Sequence, residues 1–247
     1  MRAQSLKSML CCLLLGCLPV MPVHAAEQPE ATPPPSSLIK KQDKAALVYK
    51  PPKRGSPAVR VGGATRGAGD PLPVLHVLAP DHIGMTVQQQ PVFQWYLSKP
   101  ARVRFEFALV SEDSIDPVLE RDFGTVHSRG IQQLDLADTD IVLEPGVPYQ
   151  WSVALIPDEQ ARSGDVVASG MIERIAVSKE LAARLAGASE YEQAMACAEA
   201  GIWYDALSML SKLIAEDPAN ATLRMQRAAL LEQVGLPAVG LPDERVK

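Results

Sequence analysis

Cysteine is scarce and badly placed for cross-linking: of four, Cys11, Cys12 and Cys17 lie near the start and only Cys197 lies beyond. Once an N-terminal leader is removed, no intramolecular disulfide and no thiolate metal cluster can form, so the fold must rest on packing. Cys197 itself falls in an alanine-rich helical pattern and reads as a small buried apolar residue rather than a reactive thiol. A basic excess is missing too. The formal net charge is -5, which excludes the broadly basic face that nucleic-acid binding needs. No apolar run reaches the ~20 residues of a membrane helix. No GxxxxGK[ST], GxSxG or HExxH occurs, and "VGGATRGAG" lacks the flanking strand and helix of a phosphate loop. These gaps leave little room for catalysis, and no cofactor is implied.

What is present begins with a leader. Arg2 and Lys7 precede "MLCCLLLGCLPVM", and Val23-His24-Ala25 supplies a small-residue cleavage site. This is a signal peptide over 1–25, and it predicts a periplasmic or envelope-associated protein with no transmembrane span after cleavage. Leu14-Leu15-Gly16-Cys17 also resembles a lipobox, a second route that would lipidate Cys17. Residues 26–48, with "TPPPSS", read as a disordered leader. Residues 49–70 follow as a basic Pro/Gly strap, "YKPPKRGSPAVRVGGATRG". Lys40, Lys41, Lys44, Lys50, Lys53, Arg54, Arg60 and Arg66 are answered only by Asp43. That stretch reads as a solvated linker, as a binder of anionic envelope polymer, or as an ordered strap. The strap is preferred, because prolines lower its ordering cost and Tyr49 can pack.

Period-two alternation then runs through "VLHVLAP", "PVFQWYLS", "RVRFEFAL", "VLERDF", "IQQLDL", "YQWSVALI" and "VVASGMIERIAV". Phe93, Trp95 and Leu97 share one face, as do Phe105, Phe107 and Leu109. Short strands separated by turn chemistry over 71–177 predict an antiparallel β-sandwich of immunoglobulin or fibronectin type III kind. In "LEPGVPYQWSV", Tyr149 reads as a corner tyrosine bonding back to the loop, with Trp151, Val153 and Leu155 inside. From Ser178 the period becomes helical. Residues 178–236 read as a helix opened by Ser178 and then three more. Ala194, Gly201, Ala206, Leu210, Leu213 and Pro218 have tetratricopeptide-like spacing, too short for a free solenoid. Residues 237–247 read as a flexible tail.

"PPKRGSP", "GGATRG", "QPVFQWYLS", "RSGDVVASGMIER", "AGIWYDAL" and "RAALLEQVGL" together resemble the bacterial family catalogued as domain of unknown function 928, from about Tyr49 to Leu236. The resemblance implies no substrate, cofactor or catalytic residue. It implies that the strap belongs to the folded unit.

Candidate sites follow from the loops and aromatics. Arg162, Ser163 and Asp165 lie in an inter-strand loop, where they either bind a ligand or staple the turn. Trp203 and Tyr204 either anchor a partner or cement the helices to the sandwich. Tyr96, if it faces outward beside Gln94, can stack on a sugar or peptide. Lys53 and Arg54 are the strap's interaction candidates. Of the histidines, His76, His82 and His127 have no partner at a telling spacing, and Asp81-His82 reads as a surface turn before a metal ligand or base. The function expected is a non-catalytic interaction or assembly module engaging another exported protein. The alternative is binding of an envelope carbohydrate or anionic polymer through exposed aromatics and the strap.

Overall fold

The computed structural model describes residues 47–52, 61–62 and 72–236. The signal peptide, the lipobox, the body of the 26–48 leader, Lys53, Arg54 and the 237–247 tail lie outside those residues. Asp43–Lys247 forms one compact unit.

Alternating apolar side chains become strands whose inner faces meet. The strands are β1 (Val61–Gly62), β2 (Leu75–Val77), β3 (Gly84–Thr86), β4 (Val92–Leu97), β5 (Arg104–Ser111), β6 (Pro117–Asp122), β7 (Gly130–Asp135), β8 (Pro148–Ile156) and β9 (Val166–Arg174). They form two sheets, β1-β2-β4-β7 and β3-β9-β8-β5-β6. Phe93 and Trp95 from the first sheet meet Phe107 and Phe105 from the second, with ring centroids 5.3 and 5.5 Å apart. Trp151 completes this layer against Phe93 at 5.1 Å. These rings are excluded from water, and burying each one contributes roughly 1.5–3 kcal/mol. In β2 the alternation left the inner face open; Leu75 and Val77 fill it, and His76 faces outward.

The corner tyrosine is present, since the Glu144 backbone N–H donates to the Tyr149 hydroxyl at 3.1 Å. Two features depart from the expected arrangement, one in strand direction and one in where the first strand lies. β3 pairs with β9 in parallel, Gly84 opposite Ile172 and Thr86 opposite Arg174. β1 arises inside "VGGATRGAG" and pairs with β2, so the supposed featureless glycine stretch holds a strand.

Four helices follow: α1 (Lys179–Leu185), α2 (Glu190–Glu199), α3 (Trp203–Glu216) and α4 (Ala221–Glu232). Ser178 caps α1 by accepting from Leu181 N–H at 3.1 Å. Ser189 and Glu192 close a reciprocal capping box on α2. Asn220 caps α4. α3 has no capping side chain, and starts instead with two aromatic residues driven into the sheets.

Of the two readings of Trp203 and Tyr204, the cementing of helices to sheets holds and the partner anchor is corrected. Both are enclosed, at 0% and 2% exposure, because each has a polar atom that finds its partner inside. Trp203 Nε1 donates to Leu78 O at 2.9 Å. Tyr204 hydroxyl donates to Met171 O at 3.0 Å and accepts from Trp151 Nε1 at 2.7 Å. β3 admits the tyrosine ring only because residue 84 is glycine, where a Cβ would stand 2.6 Å from Tyr204 Cε2.

Removing the hydroxyl in Tyr204→Phe leaves the Trp151 N–H unpaired inside the core. The expected loss is about 1–3 kcal/mol, and Gly84→Ala is expected to cost a similar ~1–3 kcal/mol by overpacking. Urea unfolding followed by helical ellipticity and by tryptophan fluorescence checks both, with coincident transitions expected because helices and sheets share this seam.

Candidate functional site

Register separates the two ends of the strands. Thr86, Val92, Asp135, Pro148 and Arg174 lie at one end; Leu97, Gly130, Arg104, Ile156 and Val166 lie at the other. The loop holding Arg162, Ser163 and Asp165 belongs to the second end. There Arg162 Nε bonds Asp165 Oδ2 at 2.6 Å, and Arg162 Nη2 reaches Glu106 Oε2 at 3.0 Å. Arg104 extends the cluster to Glu106, Asp122 and Glu159. The Asp165 side chain is only 8% exposed, so this pair closes the turn as a staple. Ser163 is exposed beside it.

Tyr96 does face the outer side of its sheet, but neighbours flank it. It pairs across the strands with His76 and Ile131, its ring 6.4 Å from the imidazole, and it is half-buried. Gln94, expected beside it on an open face, is 2% exposed. α3 covers it, and Ser211 Oγ donates to Gln94 Oε1 at 3.0 Å.

His82 corrects the surface-turn reading. It is buried, with Nδ1 3.1 Å from Asp81 Oδ1 and Nε2 2.8 Å from the Tyr49 hydroxyl. The tautomer that satisfies both contacts donates from Nδ1 and accepts at Nε2. Burial, then the charge of Asp81, pushes the Tyr49 hydroxyl well above the phenol range, which keeps it a donor. Tyr49 also packs edge-on against Trp203 at 5.1 Å. Leu47 N and Tyr49 N donate to Gln226 of α4 and to Gln233, the residue that caps its C-terminus, and Lys50 N donates to Ala198 O at the end of α2. Residues 47–52 are therefore a strap laid on the helices, and it takes in Leu47 and Val48, which the sequence reading had assigned to the leader. His127 bonds the Gly124 carbonyl. Cys197 is buried, and burial above all pushes its thiol up to about 12.

The pocket lies at the first end, and the sequence reading missed it. Its volume is about 270 Å³, and its wall includes Thr86, Gln88, Gln90, Asp135, Asp205 and Ser208. β3 positions Thr86, β7 positions Asp135, and the first two turns of α3 position Asp205 and Ser208. Asp205 is 1% exposed. Its Oδ2 accepts from Thr86 Oγ1 at 2.6 Å and from Val87 N–H at 3.4 Å, while Oδ1 has no hydrogen-bond partner within 3.5 Å among the described residues. Burial pushes the carboxyl up to about 6, held back mainly by Thr86, the Val87 N–H and the Gln88 side chain. The only sequence signal was an acid in the first turn of an apolar helix, which ordinarily just complements the helix dipole. Among the described residues no group of three or more His, Cys, Asp or Glu could hold a metal ion, and no helix is long and apolar enough to cross a membrane.

Two consequences are measurable. An unfolded Asp205 ionises near 3.8 and the folded one near 6, so between those values the folded chain binds more protons. Its stabilising contribution is present below about pH 4 and is lost as the pH rises through 6. Relative to wild type, Asp205→Asn should gain roughly 2–3 kcal/mol between pH 4 and pH 7, read from urea unfolding at each pH. For the strap, Gly201 has φ +79° and a Cβ there would stand 2.7 Å from Lys50 O. Gly201→Ala should cost about 1–2 kcal/mol in backbone strain, and should speed chymotryptic cleavage after Tyr49 roughly tenfold if that strain is relieved by lifting the strap.

The comparison with curated proteins gives no match. Among solved structures, an engineered protein from the Northeast Structural Genomics Consortium matches at 11% identity and a TM-score of 0.27, covering 41% of this chain and 20% of that one. The chain thus spans a small part of that structure, and so low a score carries no argument about the fold. A family match covers residues 61–241. It takes in β1, the "GGATRG" stretch, both loop ends and all four helices, and it leaves "PPKRGSP" and the 47–52 strap ahead of its start, so the expected resemblance from Tyr49 is trimmed there. The match is to the Domain of Unknown Function (DUF928), it spans well over half of the chain, and the chain belongs to that family.

Proposed function

We propose that this chain is an exported, non-catalytic interaction module whose partner is another exported protein, in the periplasm or at the envelope. In this reading the two sheets are an immunoglobulin- or fibronectin III-like sandwich, and α2 with α3 is a tetratricopeptide-like pair. The observation that supports it most is the fusion of helices and sheets through Trp203 and Tyr204. It makes one rigid scaffold carrying the loops 87–91, 112–116 and 136–147 at a single end. Binding residues collect on loops held in that way. Ile115, 98% exposed, and Val142, 48% exposed, offer apolar contacts there.

His82, His127 and Cys197 have structural employment instead of a catalytic one in this reading. His82 is held between Asp81 and Tyr49, His127 closes its own turn, and the Cys197 thiol is kept protonated by burial. The carboxyls of the pocket at this loop end disfavour an anionic polymer as the ligand there.

Crosslinking to purified envelope, with mass spectrometry of the captured protein, tests the reading. Attachment should survive high salt and weaken roughly tenfold in an Ile115→Asp, Val142→Asp double variant, whose exposed positions leave the core untouched. Release by salt together with competition by polysaccharide would instead favour the carbohydrate or anionic-polymer reading.

A further inference from the structure

The pocket at the start of α3 is chemically one-sided. A carboxylate as deeply buried as Asp205 needs partners for both oxygens, and Oδ1 has none among the described residues. Asp135 brings a second carboxyl to the wall, where no Lys, Arg or His contributes. Thr86, Ser208 and Gln90 already direct their donor hydrogens at other groups. Thr86 Oγ1 donates to Asp205 Oδ2, and Ser208 Oγ donates to the Asp205 carbonyl. Gln90 Nε2 is shared among the carbonyls of Leu136, Thr139 and Ile141. The two hydroxyls keep a lone pair each to accept with, and Gln90 keeps its amide oxygen.

A wall rich in acceptors and carrying carboxyls selects its ligand by what that ligand donates. A neutral polyol brings lone pairs that need donors, and beyond the Gln88 amide this wall has few to give. A divalent cation asks for six or more oxygens in tight array. An ammonium group is donor-only, with three N–H bonds and a positive charge. Pro91, Val92 and Met209 on the same wall can cover an alkyl stem.

We propose that this pocket takes a primary ammonium group on an alkyl stem, seated against Asp205 and Asp135. A lysine side chain of a protein partner and a free alkylamine share that chemistry. The lysine source rests on the interaction reading; the pocket's choice of ammonium does not.

The test is amide chemical-shift titration of the full-length chain at pH 7.5 with n-butylammonium, with Nα-acetyl-lysine methylamide, with n-butanol as the neutral isostere, and with calcium. Both amines are expected to shift Thr86 to Gln88 and Asp205 to Ser208, and n-butanol to bind at least roughly tenfold more weakly. Asp205→Asn should abolish the shifts. Should that variant fail to fold, Asp135→Asn decides, since its amide oxygen can still accept from Ala137 N–H as Asp135 does now. It should weaken both amines at least roughly threefold. Equal shifts from butanol, stronger binding of calcium, or no change in Asp135→Asn would overturn the assignment. Tighter binding of the lysine amide than of n-butylammonium supports the polypeptide source, and equal or weaker binding overturns that source alone. Amine binding without any captured partner leaves the pocket standing and removes the interaction reading.

Discussion

One constraint orders this molecule: two aromatic side chains at the start of α3 each have a single polar atom that must be satisfied away from water. Trp203 and Tyr204 meet that demand on backbone carbonyls of the sheets, Leu78 and Met171. An indole N–H or phenol hydroxyl left unpaired at such depth costs about 1–3 kcal/mol, so the bonds fix where the helix can begin. Once α3 is placed, much else follows. Tyr49 finds the Trp203 ring to lean on, Gln94 is covered by Ser211, and Asp205 is carried under the β3 edge to Thr86.

The same placement explains why a buried acid stands in so apolar a setting. Asp205 is one step along the helix from Tyr204, and both project from the first turn toward β3. The helix N-terminus and the Thr86 hydroxyl favour its charge, while the loss of water opposes it more strongly. The opposite end of the strands follows a different logic. Arg104 and Arg162 there are met by Glu106, Asp122, Glu159 and Asp165, so each of those carboxylates has a guanidinium partner even though acids outnumber bases in the cluster. Charge is closed at one end and open at the other.

Much of the framework was legible in the residues. Alternation placed β2 and the six longer strands, β4 to β9, because a half-buried strand must repeat every two positions, and Ser178 announced α1 through its hydroxyl. β3 was not legible. Three residues, Gly-Met-Thr, are too few to show a period, and all three are buried, so there was no polar counterpart to mark a face. Trp203 and Tyr204 could be read either as a contact surface or as cement, since a helical stripe looks the same whether its own fold or another molecule covers it. Gln94 misled for the matching reason: a polar residue opposite Trp95 implies an open face unless a later helix closes it. The Asp205 pocket was beyond reach because its wall comes from β3, β7 and α3, segments that lie far apart along the chain.

The strap adds a matter of timing. Leu47 and Tyr49 bond to Gln226 and Gln233, up to 186 residues further along the chain. During synthesis the Leu47 end of this strap has nothing to hold until α4 has been made. Its docking reports that α4 is in place, and a chain truncated before α4 would leave Tyr49 and its neighbours hanging loose, open to proteases.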